Sequence, residues 1–239
     1  MEIELSIILP TFNERKLGIL PKILSAFESL ESFELILVDR KSDDDTVKFI
    51  REHSLFRKNP GRLKILKTSS NGRGKRLSEG FKISSGRIIL LHHSRSFLNK
   101  EGLQELIGKK EISFWGAFTH QFDLDSPILN FTSWYSNRIR GDLKNIFYLD
   151  HCIFVTRTLL LQTEIPDVEI FEDTILSKRL NRFSKPIRLK HTSITSSIRF
   201  QKNGIVYQSL LNQIMKLGYY AGIPYSRLNY FYEKSLHLN

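Results

Sequence analysis

The sequence predicts an α/β fold, a mainly parallel Rossmann-like sheet flanked by helices. Short β-branched apolar runs recur along the first hundred residues. Segments with helical spacing separate them, and each crossover is long enough to bring the next strand back parallel to the last.

Residues 3–9 (IELSIIL) form the first run, stopped by Pro10, and Phe33–Val38 form the second, stopped by Asp39. Such near-continuous apolar runs suit strands buried on both faces. Between them, Leu17, Leu20, Ile23, Leu24, Phe27 and Leu30 repeat at helical spacing over 14–30, with Pro21 as a blemish. A helix over 44–53, a strand over 63–67, a helix over 74–84 and a strand over 87–91 follow. Ligands of such sheets bind beyond the carboxyl ends of the strands, which puts 10–14, 39–45 and 92–96 around one crevice. After Gly102 the rhythm changes. Strands are expected over 112–118 and 152–155, helices over 130–140 and 172–183, an extended segment over 187–200, and an amphipathic helix over 204–218 before an aromatic, basic tail.

The chain has 239 residues, 41% hydrophobic and 26% charged, which fits one domain over 1–239. Its parts would be residues 1–100, residues 101–204, and a C-terminal helix and tail (205–239). A formal charge of +11 biases it toward anionic partners. Nucleic acid is not expected, because no helix-turn-helix, zinc or RNA-stacking signature occurs. The single cysteine, Cys152, excludes an internal disulfide, and the N-terminus lacks the basic region and cleavage site of a signal peptide. No segment reaches the roughly 18 apolar residues of a membrane span. A cytoplasmic location is expected, with any membrane contact peripheral.

The strand-end loops carry a recognisable order: SIILPTFNE at 6–14, ELILVDRKSDDDT at 34–46, GRGKRLSEGFKISSGRIILLHHS at 72–94 and FEDTILSKRL at 171–180. With GAF at 116–118, the helix bearing Trp134, Asn137 and Arg138, and RFQKNG at 199–204, this resembles family 2 glycosyltransferases of the GT-A fold, most closely a compact bacterial subgroup. The resemblance implies a hexosyltransferase-type enzyme that moves a sugar from a nucleotide diphosphate, of UDP or GDP type, to an acceptor hydroxyl with inversion. It makes 1–100 a nucleotide-binding half and 101–204 an acceptor and catalytic half, in which Asp173 would be the general base, with Glu172 beside it. A nucleotide-sugar pocket would use Pro10, Thr11, Glu14, Asp39, Gly72, Arg73, Lys75, Ser94, Arg95 and Asp150. From the residues alone, Asp39 at a strand end suits a base or ribose, and Asp44 suits a helix cap. Gly72–Arg76 (GRGKR) reads either as a phosphate-binding helix start or as a solvated basic turn. Glu172 and Asp173 equally suit a helix N-terminus for structural reasons.

The departures fall in the crevice. Arg40 and Lys41 replace two family glycines, Leu149 and His151 replace the neighbours of Asp150, and setting LHADT against LHHSR puts Ser94 where the family's metal-binding Asp stands. No residue is therefore assigned to a metal, although the resemblance implies magnesium or manganese. A hydroxyl is a poor substitute for a carboxylate toward a hard cation. Three accounts follow: a softer metal held by His92 and His93, which in an extended segment point in opposite directions; direct neutralisation of the diphosphate by Arg95 with Arg73, Lys75 or Arg40; or an inactive binding or scaffold protein on the same fold. His120 and His191 read as satisfied loop residues. Cys152, and Trp134 and Tyr135 with Phe131, read as core. The tail over 216–234, with six aromatic residues and Lys216, Arg227 and Lys234, packs over the sheet or rests on an anionic bilayer at the inner membrane face.

Overall fold

The computed structural model describes residues 3–234. Its elements are β1 (Leu5–Thr11), α1 (Leu20–Phe27), β2 (Phe33–Asp39), α2 (Thr46–Glu52), α3 (Ser54–Lys58), β3 (Leu63–Lys67), α4 (Arg73–Ile83), β4 (Ile88–Leu91) and β5 (Ser96–Leu98). There follow α5 (Lys100–Gly108), β6 (Trp115–Phe122), α6 (Pro127–Tyr135), β7 (Ile153–Thr156), α7 (Arg157–Thr163), α8 (Glu172–Leu180), β8 (Ile187–Thr195), α9 (Ile198–Asn203), α10 (Ile205–Tyr220) and α11 (Tyr225–Lys234). The strands make one sheet in the order β3-β2-β1-β4-β7-β6-β8-β5. Strands β3, β2, β1 and β4 are parallel, as are β6 and β8, whereas β7 runs antiparallel to both its neighbours and β5 antiparallel to β8.

The period-two geometry of the strands divides the core between the two faces of the sheet. Leu5, Ile7, Leu9, Leu35, Leu37 and Leu90 pack on one side with Ile23, Leu24 and Phe27 of α1 and Leu103 and Leu106 of α5. On the other side Ile8, Ile36, Val38, Ile89 and Leu91 meet Leu77 of α4, Leu160 of α7 and Leu176 of α8. Because β7 is reversed, Ile153 at its start pairs with Leu91 at the end of β4. That register brings Asp150 and His151 to the same sheet edge as His92–Arg95.

Several boundaries depart from the sequence reading. The helix expected over 14–30 starts only at Leu20, because Gly18 adopts φ 68 after a 3₁₀ turn, and Pro21 sits in the first turn of α1, where a missing N–H costs nothing. The extended segment over 187–200 is β8 only to Thr195, after which α9 begins. Helix α6 starts three residues early and continues as a π-helical segment, Ser136–Leu143. Strand β5 and helices α5 and α7 were not distinguished by periodicity. Phe131 and Trp134 are not core: they are 62% and 50% exposed and stack on each other at 5.6 Å, while α6 buries Leu129 and Ser133. His120 and His191 lie in strands β6 and β8 rather than loops. Of the tail over 216–234, Leu228 packs with Leu211 and Met215 of α10 around Phe171 rather than over the sheet, while Tyr220, Tyr230 and Phe231 are exposed; residues 235–239 of the C-terminal part lie outside the described residues. Among the described residues no helix is long and apolar enough to cross a membrane.

Candidate active site

The ends of β1, β2 and β4, the start of α4, the segment before β7 and the start of α8 come together through side-chain contacts at the carboxyl ends of the parallel strands, where the sequence places the crevice. Asp39, at the end of β2, is fully buried. Thr11 Oγ1 and Ser42 Oγ donate to its Oδ1 at 2.8 and 2.6 Å, and the Ser42 N–H donates to Oδ2 at 2.8 Å. Its carboxylate thus ties the β1 and β2 loops together. Asp44 accepts the N–H of Thr46 at 3.1 Å, as expected of a residue capping α2, although the residue immediately before the helix is Asp45.

In place of the family glycine, Lys41 holds φ 51, a left-handed conformation that costs a side-chain-bearing residue roughly 1–2 kcal/mol. Lys41→Gly is expected to stabilise the fold by about 0.5–1 kcal/mol after the greater chain entropy of glycine is counted. Denaturant unfolding reads this directly; a destabilised variant would show that the lysine makes a compensating contact. Arg40 lies over the exposed Phe12 ring at 4.8 Å.

The segment after β4 has a different logic from the one its residue types suggested. His92 turns into the core against Phe27, its Nδ1 2.9 Å from the His93 carbonyl, and burial lowers its pKa to about 4. His93 turns the other way, its Nδ1 3.0 Å from Ser96 Oγ. The two histidines do not face a common point. Ser94 Oγ donates to Glu14 Oε1 at 2.8 Å, and Arg95 Nε donates to Glu14 Oε2 at 3.4 Å. Glu14 is only 5% exposed, so the clamp is a buried one, with Arg95 Nη1 left unpartnered.

Helix α4 meets α8 at a close approach that requires glycine: a Cβ on Gly74 would stand 2.2 Å from the Pro166 carbonyl oxygen and 3.0 Å from Glu172 Cβ. This contact carries Arg73 onto the acidic pair. Arg73 Nε bonds to Glu172 Oε1, and Nη2 lies 3.3 Å from Asp173 Oδ2. Arg73 is therefore paired with carboxylates rather than free in the crevice. Lys75 is exposed on the outer side of the helix. The cation that reaches the crevice is Arg76, whose Nη1 donates to the Thr11 carbonyl at 3.2 Å and whose buried Nε has no partner. Burial, with Arg73 and Arg40 nearby, lowers its pKa to about 10. Helical spacing could have singled it out, since Arg73 and Arg76 share a face.

Asp173 is 6% exposed. Its Oδ2 accepts the Leu149 N–H at 2.9 Å and its Oδ1 the Thr174 N–H at 2.6 Å. Burial, and then the adjacent Glu172 carboxylate, raise its pKa against the pull of Arg73. Asp150 sits across from it. Its carbonyl accepts from Ser193 Oγ at 2.6 Å, while its carboxylate lies 3.6 Å from His120 Nε2 and 4.0 Å from His151 Nε2. Burial pushes its pKa up, but His120, His151, His93 and Arg140 outweigh this and hold it at about 2. His120 is thus part of a buried cluster with His151, ring centroids 5.3 Å apart, and is not a solitary histidine. Its Nε2 has no hydrogen-bond partner. Among the described residues, no three His, Cys, Asp or Glu side chains are placed to hold a metal ion together.

Residues 6–162, more than half of the chain, match the family model described as glycosyl transferase family 2. The chain belongs to that family. Solved structures agree on the fold of this family 2 chain. Residues 1–349 of S. aureus TarS superpose with a TM-score of 0.63 at 20% identity, covering 82% of this chain and 61% of that one. The same protein in complex with UDP-GlcNAc gives 0.61 at 21% identity, covering 81% and 58%. The mannosyltransferase PcManGT from Pyrobaculum calidifontis, in complex with GDP-Man and Mn2+, gives 0.62 at 17% identity, covering 90% and 65%. The chain thus spans less than two thirds of the length of these relatives. No curated protein matches it in sequence. The α/β architecture of the family 2 chain, with its mixed, mostly parallel sheet, is that of GT-A glycosyltransferases.

Proposed function

We propose that this family 2 chain transfers a sugar from a nucleoside diphosphate to an acceptor hydroxyl with inversion, using fixed cations in place of a divalent metal. The observation that carries the reading is the Arg73–Glu172–Asp173 cluster at the crevice. It holds a carboxylate of raised pKa at the start of α8, facing the strand ends. A base acting near neutral pH benefits from such a shift. Asp173 takes the proton of the acceptor hydroxyl as its oxygen attacks the anomeric carbon. The bond from that carbon to the phosphate oxygen breaks, and its electron pair leaves with the nucleoside diphosphate.

The leaving group gains charge, and Arg76 and Arg40 are the cations we assign to it. Arg76 has an unpartnered buried Nε, and a bound anion would offset both the burial and the crowding by Arg73 and Arg40 that lower its pKa. A nucleotide whose base rests on the β1 and β2 loops, which the fully buried Asp39 and Thr11 tie together, would place its phosphates toward this pair, and UDP and GDP sugars bound to the structural relatives make these the donors to try first. A divalent cation does not fit beside them. Ser94, which the motif resemblance sets against the metal-binding Asp, donates its hydroxyl hydrogen to Glu14, and the Arg95 guanidinium occupies the same clamp. The Glu14 oxygens are thereby spent on Ser94 and Arg95. Titration calorimetry with UDP and GDP, with and without manganese, tests both the pocket and the metal reading.

One observation favours the alternative of a non-catalytic binding protein. Arg73 lies 3.3 Å from Asp173 Oδ2, an ion pair that competes with proton uptake by that carboxylate. Loss of transfer in Asp173→Asn separates the two readings, because an inactive protein has no rate to lose.

A further inference from the structure

A second group of cations lies beside the start of α8. The π-helical segment, the start of α8 and α10 enclose a cavity of about 300 Å³ that Arg140, Lys144 and Lys216 line together with tyrosines, and no carboxylate contributes to its lining. Arg140 is only 8% exposed. Its Nη1 is 3.3 Å from Ser136 Oγ, its guanidinium carbon stands 3.0 Å above the Tyr148 ring, and its buried Nη2 has no hydrogen-bond partner. Lys216 Nζ lies 6.0 Å from the centroid of the same ring. Burial, followed by repulsion from Arg140, lowers the Lys216 pKa to about 8, outweighing attraction from Asp150. Aromatic faces attract these cations without neutralising them, and the carboxylate that acts on both Arg140 and Lys216, Asp150, lies outside the cavity lining and is shared with His120 and His151.

Thr174 joins this cavity to the candidate base. It lines the cavity, and its Oγ1 donates to Asp173 Oδ1 at 3.3 Å. Three converging cations and an unpaired buried guanidinium nitrogen call for an anion, since a buried donor left unmatched is costly and a charge-assisted hydrogen bond recovers that cost. We propose that this cavity is the acceptor subsite and that it takes an acceptor bearing a phosphate group close to the hydroxyl that receives the sugar. The proposal rests on the transferase reading for the word acceptor; the anion site itself does not. Leu217 and Tyr220, 69% and 70% exposed on α10, also line the cavity. They would accommodate an apolar remainder of such a molecule.

The full chain is titrated with inorganic phosphate, and separately with phosphatidylcholine vesicles with and without phosphatidic acid. Lys216→Gln and the exposed Lys144→Gln are compared with the unaltered chain, Lys144→Gln guarding against a variant that fails to fold. Phosphate affinity is expected to fall about tenfold in Lys216→Gln, the loss appropriate to one charge-assisted hydrogen bond, and less in Lys144→Gln. Loss of binding to phosphatidic acid vesicles in the same variants assigns the phosphate to a lipid headgroup. Vesicle binding that is absent, with phosphate binding still sensitive to the variants, assigns it to a soluble acceptor. Phosphate affinity equal in all three proteins, or binding of neither probe to the unaltered chain, overturns the proposal. UDP and GDP affinity, unchanged in both variants, reports on the nucleotide crevice alone, so its absence counts against the transferase reading and not against the anion site.

Discussion

Replacing Asp173 by Asn is expected to lower the transfer rate by roughly 10²–10⁴-fold, the contribution of a positioned general base, while the nucleotide affinity stays close to that of the unaltered chain. The fold should survive this change. Asp173 is buried beside Glu172, and both burial and that neighbour disfavour its ionised form. A carboxyl whose folded-state pKa is raised binds its proton more tightly folded than unfolded, so its ionisation lowers stability as pH rises past the unfolded value. The neutral amide removes that penalty, but its NH2 group must face one of the N–H donors that the carboxylate accepts, from Leu149 or Thr174, so the melting temperature of Asp173→Asn at neutral pH should fall modestly rather than collapse. The base must be ionised to act, so activity should fall on the acid side at a pH above the ordinary aspartate range. A variant that keeps its rate, or an acid limb at the ordinary aspartate value, would show that another group removes the proton.

Glu14→Ala should produce the largest loss of stability, about 3–5 kcal/mol, because it leaves the Arg95 guanidinium buried without its carboxylate. Ser94 would lose its acceptor at the same time. Glu14→Gln keeps an acceptor for one of the two donors and should lose less. Chemical denaturation of the two variants checks the order. Equal, small losses would mean that Arg95 finds water or another partner, and that the clamp does not hold the strand-end loops together.

The first four strands were legible because buried parallel strands leave unbroken apolar runs, and the alternation of Leu5, Ile7 and Leu9 against Ile8 shows how both faces use them. The start of α1 was hidden by Leu17, whose spacing fits the helix although Gly18 breaks the chain there. Residue type picked out the strand-end segments that the fold brings together, but not their wiring. Arg73 and Lys75 suggested phosphate contacts from their place at a helix start, yet the close packing at Gly74 turns Arg73 onto Glu172, and Lys75 is exposed. Arg76, three residues on, is the one that meets Thr11. Ser94 raised the question of a missing carboxylate; that Glu14 reaches across from the β1 loop to bond it depends on tertiary distance, which spacing along the chain does not encode. The cluster of His120, His151 and Asp150 was unreadable for the same reason, being assembled from β6 and the segment before β7.

The central claim is that fixed cations, not a divalent metal, receive the diphosphate. Calorimetric titration of the full chain with UDP and with GDP, each with and without manganese, tests it most directly. We expect one of the two nucleotides to bind with an affinity that manganese leaves unchanged and that Arg76→Gln weakens by about tenfold, the loss of a charge-assisted hydrogen bond. Binding that manganese tightens tenfold or more would contradict the claim, and the absence of binding by either nucleotide would remove the donor pocket on which it depends.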